Sequence, residues 1–303
     1  MSIIVNNITK IYGKQKALDN VSFEVKKGEV VGLLGPNGAG KSTMMKILTC
    51  FIPQNAGDAN VCGFDVIENP LEVRKRVGYL PENNPLYIDM YVEEYLKFIA
   101  GIHKLGKNSN SRIKEMIEIT GLTTEKSKKI GALSKGFRQR VGLAQAMIHN
   151  PEVLILDEPT SGLDPNQLID IRNLIIEFGK EKTILLSTHI MQEVEAVCNK
   201  VIIINEGIIV ADDKTSNLHQ LQTGKEYIFV EFEQTINPNL LKTISGVLNV
   251  ISVTPNQFKI EVNTSKDLRS DIFQFAVQNN LTVLSMNKVE HGLEEIFRNL
   301  TKK

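Results

Sequence analysis

Hydrophobic and polar positions alternate along this chain in two rhythms. Val21, Phe23 and Val25 are separated by polar neighbours, as a strand with one buried face requires. Lys27-Gly28 marks a turn, and residues 30–34 form an apolar run that ends at a glycine-rich loop, the pattern of a fully buried strand. Residues 41–48 read as a helix. From about residue 87 to residue 150 the rhythm becomes helical: Val92, Tyr95, Leu96 and Ile99 share one face, and Ile113, Met116 and Ile117 share another. Gly121 is placed to stop the second of these helices. Buried-strand patterns return at residues 153–156, 183–187 and 201–204. Between the first two, Asp164-Pro165 supplies an N-cap and a first-turn residue. The helix it opens points Leu168, Ile171, Leu174, Ile175 and Phe178 inward and ends at Gly179.

A polar stretch near residues 212–224 breaks the pattern. Beyond it come a strand at 227–232, a helix near 239–244, strands near 247–253 and 258–262, and a helix carrying Leu268, Ile272, Phe275 and Ala276. A strand near 281–285 and a last helix near 293–300 follow. The order β-α-β-β-α-β is that of a small ferredoxin-like domain. The expected organisation is therefore an α/β domain over residues 1–214, with a helical subdomain at about 84–150, and a small α+β domain over 222–303.

Composition narrows the function. Hydrophobic residues make up 42% and charged residues 23%, as in ordinary globular proteins. The formal net charge is zero, so no basic excess exists to neutralise phosphates, and no nucleic-acid partner is expected. Cys50, Cys62 and Cys198 are scattered, which argues against zinc or a disulfide framework and for a reducing compartment. The N-terminus lacks the charged and apolar regions of a signal peptide. No apolar run approaches the ~20 residues that span a bilayer. Work at a membrane would need a separate chain to cross it.

The strongest chemistry lies in Gly35-Pro36-Asn37-Gly38-Ala39-Gly40-Lys41-Ser42-Thr43, which matches GxxxxGK[ST] between an expected strand and an expected helix. Such a P-loop turns successive backbone N–H groups inward around phosphate oxygens. The following helix aims its positive end at them. Lys41 should reach the β- and γ-phosphates, and the Ser42 hydroxyl should ligate Mg²⁺. The run Leu154-Ile155-Leu156-Asp157-Glu158 supplies a second element: a strand that ends by presenting Asp157 to the metal, with Glu158 beside the γ-phosphate to polarise water.

Between these elements lies Leu133-Ser134-Lys135-Gly136-Phe137-Arg138-Gln139-Arg140. Here the chain resembles the ATP-binding cassette (ABC) ATPases, whose signature is LSGGQ. Ser134 and Gly136 are kept, while Lys135 and Phe137 depart. The resemblance implies a P-loop NTPase cassette that uses ATP and Mg²⁺. It places Tyr12 against adenine, although a strand tyrosine in the core is the other reading of that position. Ser161-Gly162-Leu163-Asp164 matches the family's D-loop, and His189 its switch histidine at the γ-phosphate. His103, His149, His219 and His291 match nothing and read as surface residues. In Tyr79-Leu80-Pro81-Glu82, Glu82 stands where most of the family has a glutamine that helps hold Mg²⁺. A carboxylate there could still bind the metal, but it adds negative charge.

The motifs YLPE and LSKGFRQR, with the appended C-terminal domain, resemble the subgroup that serves ABC-2-type exporters. The whole pattern is similar to the ATP-binding subunit associated with gliding motility in Bacteroidetes-type bacteria, including the opening 1–51 stretch and the Glu294-Glu295-Ile296-Phe297 ending. The resemblance implies a head-to-tail homodimer, in which Ser134 and Gly136 of one chain face the ATP on the other chain's P-loop. It also implies integral membrane permease subunits as partners, and a cytoplasmic position on the inner face of the cell membrane. The rival is an ABC ATPase that acts on ribosomes or DNA; it would need paired cassettes or long heptad inserts, and neither is present.

Overall fold

Unbroken apolar runs put strands in the middle of a sheet, where both faces are covered. In the computed structural model, which describes residues 1–218, 225–263 and 267–289, the chain opens on the antiparallel hairpin β1 (Ile3–Tyr12) and β2 (Gln15–Val25). The run β3 (Val30–Leu34) follows, then β4 (Ala56–Val61), β5 (Phe64–Asp65) and β6 (Val77–Leu80). After the helical segment come β7 (Val153–Asp157), β8 (Thr183–Thr188), β9 (Lys200–Asn205) and β10 (Ile208–Lys214). Every residue of β3, β7 and β8 is buried.

These strands make a six-stranded sheet in the order β10-β9-β3-β8-β7-β6 and a four-stranded sheet in the order β2-β1-β4-β5. The six-stranded sheet is parallel from β9 to β6, with β10 added antiparallel at the edge. The helix Lys41–Leu48 buries Met44, Met45, Ile47 and Leu48. One apolar core joins these residues to Val5 and Phe23 of the smaller sheet and to Leu33, Ile155 and Leu185 of the larger one.

The helices Val92–Ile102, Ser109–Ile119 and Lys135–Met147 make up the helical segment. Gly121, with φ +66°, follows the end of the second. Asp164 caps the helix Pro165–Gly179 by accepting a hydrogen bond from the Gln167 amide. Strands β4, β6 and β10 had no distinct sequence signal. β4 contains Gly57 and β6 contains Gly78, which interrupt an apolar pattern. β10 is an edge strand with no buried residue, so nothing selects for apolar side chains along it.

The chain divides into two compact units between Thr215 and Ser216. The second unit contains β11 (Lys225–Phe232), β12 (Val247–Thr254), β13 (Gln257–Asn263) and β14 (Val283–Val289), with helices Pro238–Leu241 and Arg269–Gln278. Its antiparallel sheet runs β12-β13-β11-β14. This is the ferredoxin-like arrangement read from the element order. Phe232, Phe258, Ile260 and Ile272 form its core. The helix expected near 293–300 lies outside the described residues.

Candidate nucleotide-binding site

Three neighbouring parallel strands, β3, β8 and β7, end at the same edge of the sheet. In open α/β sheets this carboxyl edge is where ligands bind. Register fixes which side chains meet there: Leu34 pairs with Thr188, and Asp157 pairs with Ser187. The loop from Gly35 to Gly40 leaves β3 at this edge and leads into the helix Lys41–Leu48. Gly40, the N-cap, has φ +109°, and a Cβ there would lie 2.5 Å from the Ala17 carbonyl oxygen. A side chain is excluded on both counts.

Lys41 is 5% exposed. Its ammonium donates to the carbonyls of Gly35 (2.8 Å) and Pro36 (3.2 Å) and lies 3.2 Å from the Glu158 carboxylate. The Ser42 hydroxyl donates to Asp157 Oδ1 at 3.1 Å, so a hydroxyl and a carboxylate that both suit Mg²⁺ stand side by side. Glu158, the first residue after β7, has φ +49°, a region that non-glycine residues avoid at a cost of order 1 kcal/mol. The Ser187 hydroxyl donates to Asp157 Oδ1 (2.6 Å) and accepts from the Glu158 amide (2.9 Å). The other Glu158 oxygen lies 2.9 Å from His189 Nδ1. Lys41, Glu158 and His189 thus form one connected line.

A cleft of about 290 Å³ is lined by Ala17, Asn37, Gly38, Gly40, Lys41, Ser42, Thr43, Glu82 and Glu158. Glu82 therefore enters the same space as the P-loop. Burial raises the pKa of the neighbouring Tyr79 hydroxyl, and the charges of Asp157 and Glu82 raise it further. Ala39, within the loop, is only 3% exposed. Tyr12 is 49% exposed at the end of β1, with the Lys10 ammonium 5.4 Å from its ring centre. The core reading of Tyr12 is overturned, because the strand end carries it beyond the packed layer.

Ser134 and Gly136 are not among the residues that line this cleft. Ser134 caps the helix Lys135–Met147, its hydroxyl accepting from the Phe137 amide at 3.3 Å. Gly136 lies against Gln167, where a Cβ would come within 2.5 Å. Sequence reading missed Ala17, Ser187 and a buried line in which Glu193 accepts from the hydroxyls of Thr160 and Thr188. Such partners have no motif; only strand register brings them to the edge.

A second concavity, about 460 Å³ and largely apolar, is lined by Phe51, Tyr79, Pro81, Asn84, Ile102 and His149 among others. His149 and His103 correct the surface reading. Their rings stack at 3.9 Å, and His149 Nε2 lies 3.1 Å from the Val77 carbonyl oxygen. His219 and His291 lie outside the described residues. Burial, and next the neighbouring His103, push the His149 pKa from 6.5 down to about 4. The unfolded chain takes up this proton as pH falls below 6.5, while the folded chain resists until about 4. The stabilising term is full above that window and is lost as pH falls through it. Replacing His149 by Gln should flatten the fall in melting temperature between about pH 7 and pH 5; an unchanged slope would remove His149 as the cause.

The comparisons with known proteins point to one family. The family model described as ABC transporter matches residues 18–161. The chain is 34% identical to the bacitracin transport ATP-binding protein BcrA of Bacillus licheniformis, over 98% of this chain and 97% of that protein. It is 32% identical to the linearmycin resistance ATP-binding protein LnrL of Bacillus subtilis (strain 168), over 97% and 96%. It also superposes with a TM-score of 0.65 on the dimeric structure of MJ0796, a bacterial ABC transporter cassette, with 26% identity over 70% of this chain and 98% of that one. Among the described residues, no helix is long and apolar enough to cross a membrane. With a P-loop, a Walker-type Asp157-Glu158 edge and relatives matched from end to end, the chain belongs to the ABC transporter family, as an ATP-hydrolysing, ATP-binding subunit.

Proposed function

We propose that this subunit powers an exporter-type ABC transporter through ATP-driven closure of a two-chain sandwich. The observation that carries this reading is the division of the site. Lys41, Ser42, Asp157, Glu158 and His189 meet at one sheet edge, while Ser134 and Gly136 do not line the cleft beside them. A second copy, joined head to tail, would bring its Ser134 hydroxyl, Gly136 amide and helix N-terminus to the γ-phosphate. The dimeric state of MJ0796 supports the same arrangement here.

In this reading, backbone amides from Gly35 to Gly40 hold the phosphates, with Pro36, Asn37 and Ala39 shaping the loop. Lys41 and Thr43 complete the cradle, and Tyr12 stacks on adenine. Ser42, Asp157 and Glu82 would hold Mg²⁺, which offsets phosphate charge when bound. Glu158 accepts a proton from the attacking water, and His189 orients Glu158 and contacts the γ-phosphate. ATP favours the closed pair and its hydrolysis favours opening, so the cycle is a population shift.

The apolar groove beside Glu82 would receive a cytoplasmic loop of an integral membrane permease, placing the chain on the inner face of the cell membrane. The narrower reading, transport linked to gliding motility, rests on general similarity in the 1–51 stretch and the C-terminal ending. Affinity purification from membranes tests the partner. An integral membrane protein should co-purify with the chain, and Ile102→Glu, which places a charge in the groove, should release it. Recovery of the chain without any membrane protein would overturn the permease reading.

A further inference from the structure

The loop after β6 and the edge of β7 are joined by hydrogen bonds that pass through the helix Lys135–Met147. Asn84, two residues beyond Glu82, has φ +40°, and its amide nitrogen donates to the Pro81 carbonyl at 3.0 Å, closing a tight turn. Its side-chain Nδ2 donates to the Arg138 carbonyl at 2.9 Å and lies 3.4 Å from Gln139 Oε1. Gln139 is 6% exposed, and its Nε2 donates to the Pro159 carbonyl at 2.8 Å. Pro159 directly follows Glu158.

This line is built to close tolerances. A Cβ on Gly142 would come 2.6 Å from both polar atoms of the Asn84 amide, so only glycine lets Asn84 seat on the helix. Glu158 itself holds a left-handed conformation that local propensity does not favour, so neighbouring contacts must hold it there. On the amino side, the Ser187 hydroxyl holds the Glu158 amide. On the carboxyl side, the Gln139 amide holds the next peptide carbonyl. The two bonds hold the backbone on either side of Glu158 along the chain.

We propose that Gln139 is a positioning residue for Glu158, and that Asn84 ties this position to the loop bearing Glu82. Losing the Gln139 donor frees the Pro159 peptide, lets Glu158 relax from φ +49°, and moves its carboxylate off the line to Lys41 and His189. Asn84 also lines the apolar groove, so a segment seated there touches the same hydrogen-bonded line. The inference rests on Glu158 being the group that polarises water.

The test uses the full chain and steady-state ATP hydrolysis. Gln139→Met keeps length and volume but removes the donor; it should lower kcat about tenfold with KM for ATP within about twofold, because positioning rather than binding is lost. Gln139→Glu supplies a second readout. The introduced carboxyl can donate to Pro159 only when protonated, so its kcat relative to wild type should rise from about pH 8 to about pH 6. A wild-type kcat in Gln139→Met overturns the proposal. So does a pH-independent ratio for Gln139→Glu, including one accompanied by a lowered melting temperature. Glu158→Gln separates the two readings: wild-type turnover there removes the role of Glu158 itself, whatever the Gln139 variants do.

Discussion

Glu158→Gln should bind ATP and turn it over at about one-hundredth to one ten-thousandth of the wild-type rate, a loss of roughly 3–5 kcal/mol in transition-state stabilisation. The substitution keeps the shape of a side chain that is 7% exposed, and an amide oxygen can still accept from Lys41. What it removes is the ability to take a proton. The ATP-bound pair of chains should therefore accumulate, because the step that opens it is blocked. Light scattering with MgATP should report a dimer that the wild type holds only briefly. A wild-type rate in this variant would transfer the base to another group, and His189, 2.9 Å from Glu158, is the first alternative.

Lys41→Ala should weaken ATP binding about a hundredfold, roughly 3 kcal/mol, when measured by titration calorimetry. The ammonium is buried and holds the Gly35 and Pro36 carbonyls as well as Glu158. Its loss takes away the positive charge in the P-loop cradle and leaves the buried Glu158 carboxylate facing phosphate without its Lys41 partner. Both effects act against an anion, so affinity suffers more than stability. Binding within about threefold of wild type would mean that the backbone amides alone hold the phosphates.

The expected strand–loop–helix around the P-loop matches the structure residue for residue, at Val30–Leu34 and Lys41–Leu48. Both patterns are short in range: an apolar run with both faces covered, then glycines, then a helix. The Asp164-Pro165 cap was legible for the same reason, since the capping oxygen and the Gln167 amide it accepts from are neighbours in sequence. The small domain was legible in order, but its edges shifted. The helix expected at 239–244 runs Pro238–Leu241, and the strand expected at 281–285 runs Val283–Val289. Weak periodicity over a few residues leaves such boundaries to packing.

The histidines show the opposite case. Nothing around His103 or His149 in sequence marks either as half-buried, and each follows a helix that reads as ordinarily amphipathic. Their stacking comes from the approach of two helix ends whose separation along the chain is large. Tyr12 was ambiguous because a tyrosine suits either a core or a strand end, and only the length of β1 placed it outside.

Sequence by itself determined the parts of the site that are contiguous. The glycine-rich loop, Lys41 and Ser42 are set by backbone conformation over a few residues, and so are the caps that start the helices. Tertiary structure decided how the separate parts meet. Parallel register sets Asp157 opposite Ser187, and that pairing fixes the turn that aims Glu158 at Lys41 and His189. The helix Lys135–Met147 adds the bond from Gln139 to Pro159 across the fold. A parallel sheet joins strands far apart in sequence, so no local pattern can record which of their ends will share an edge.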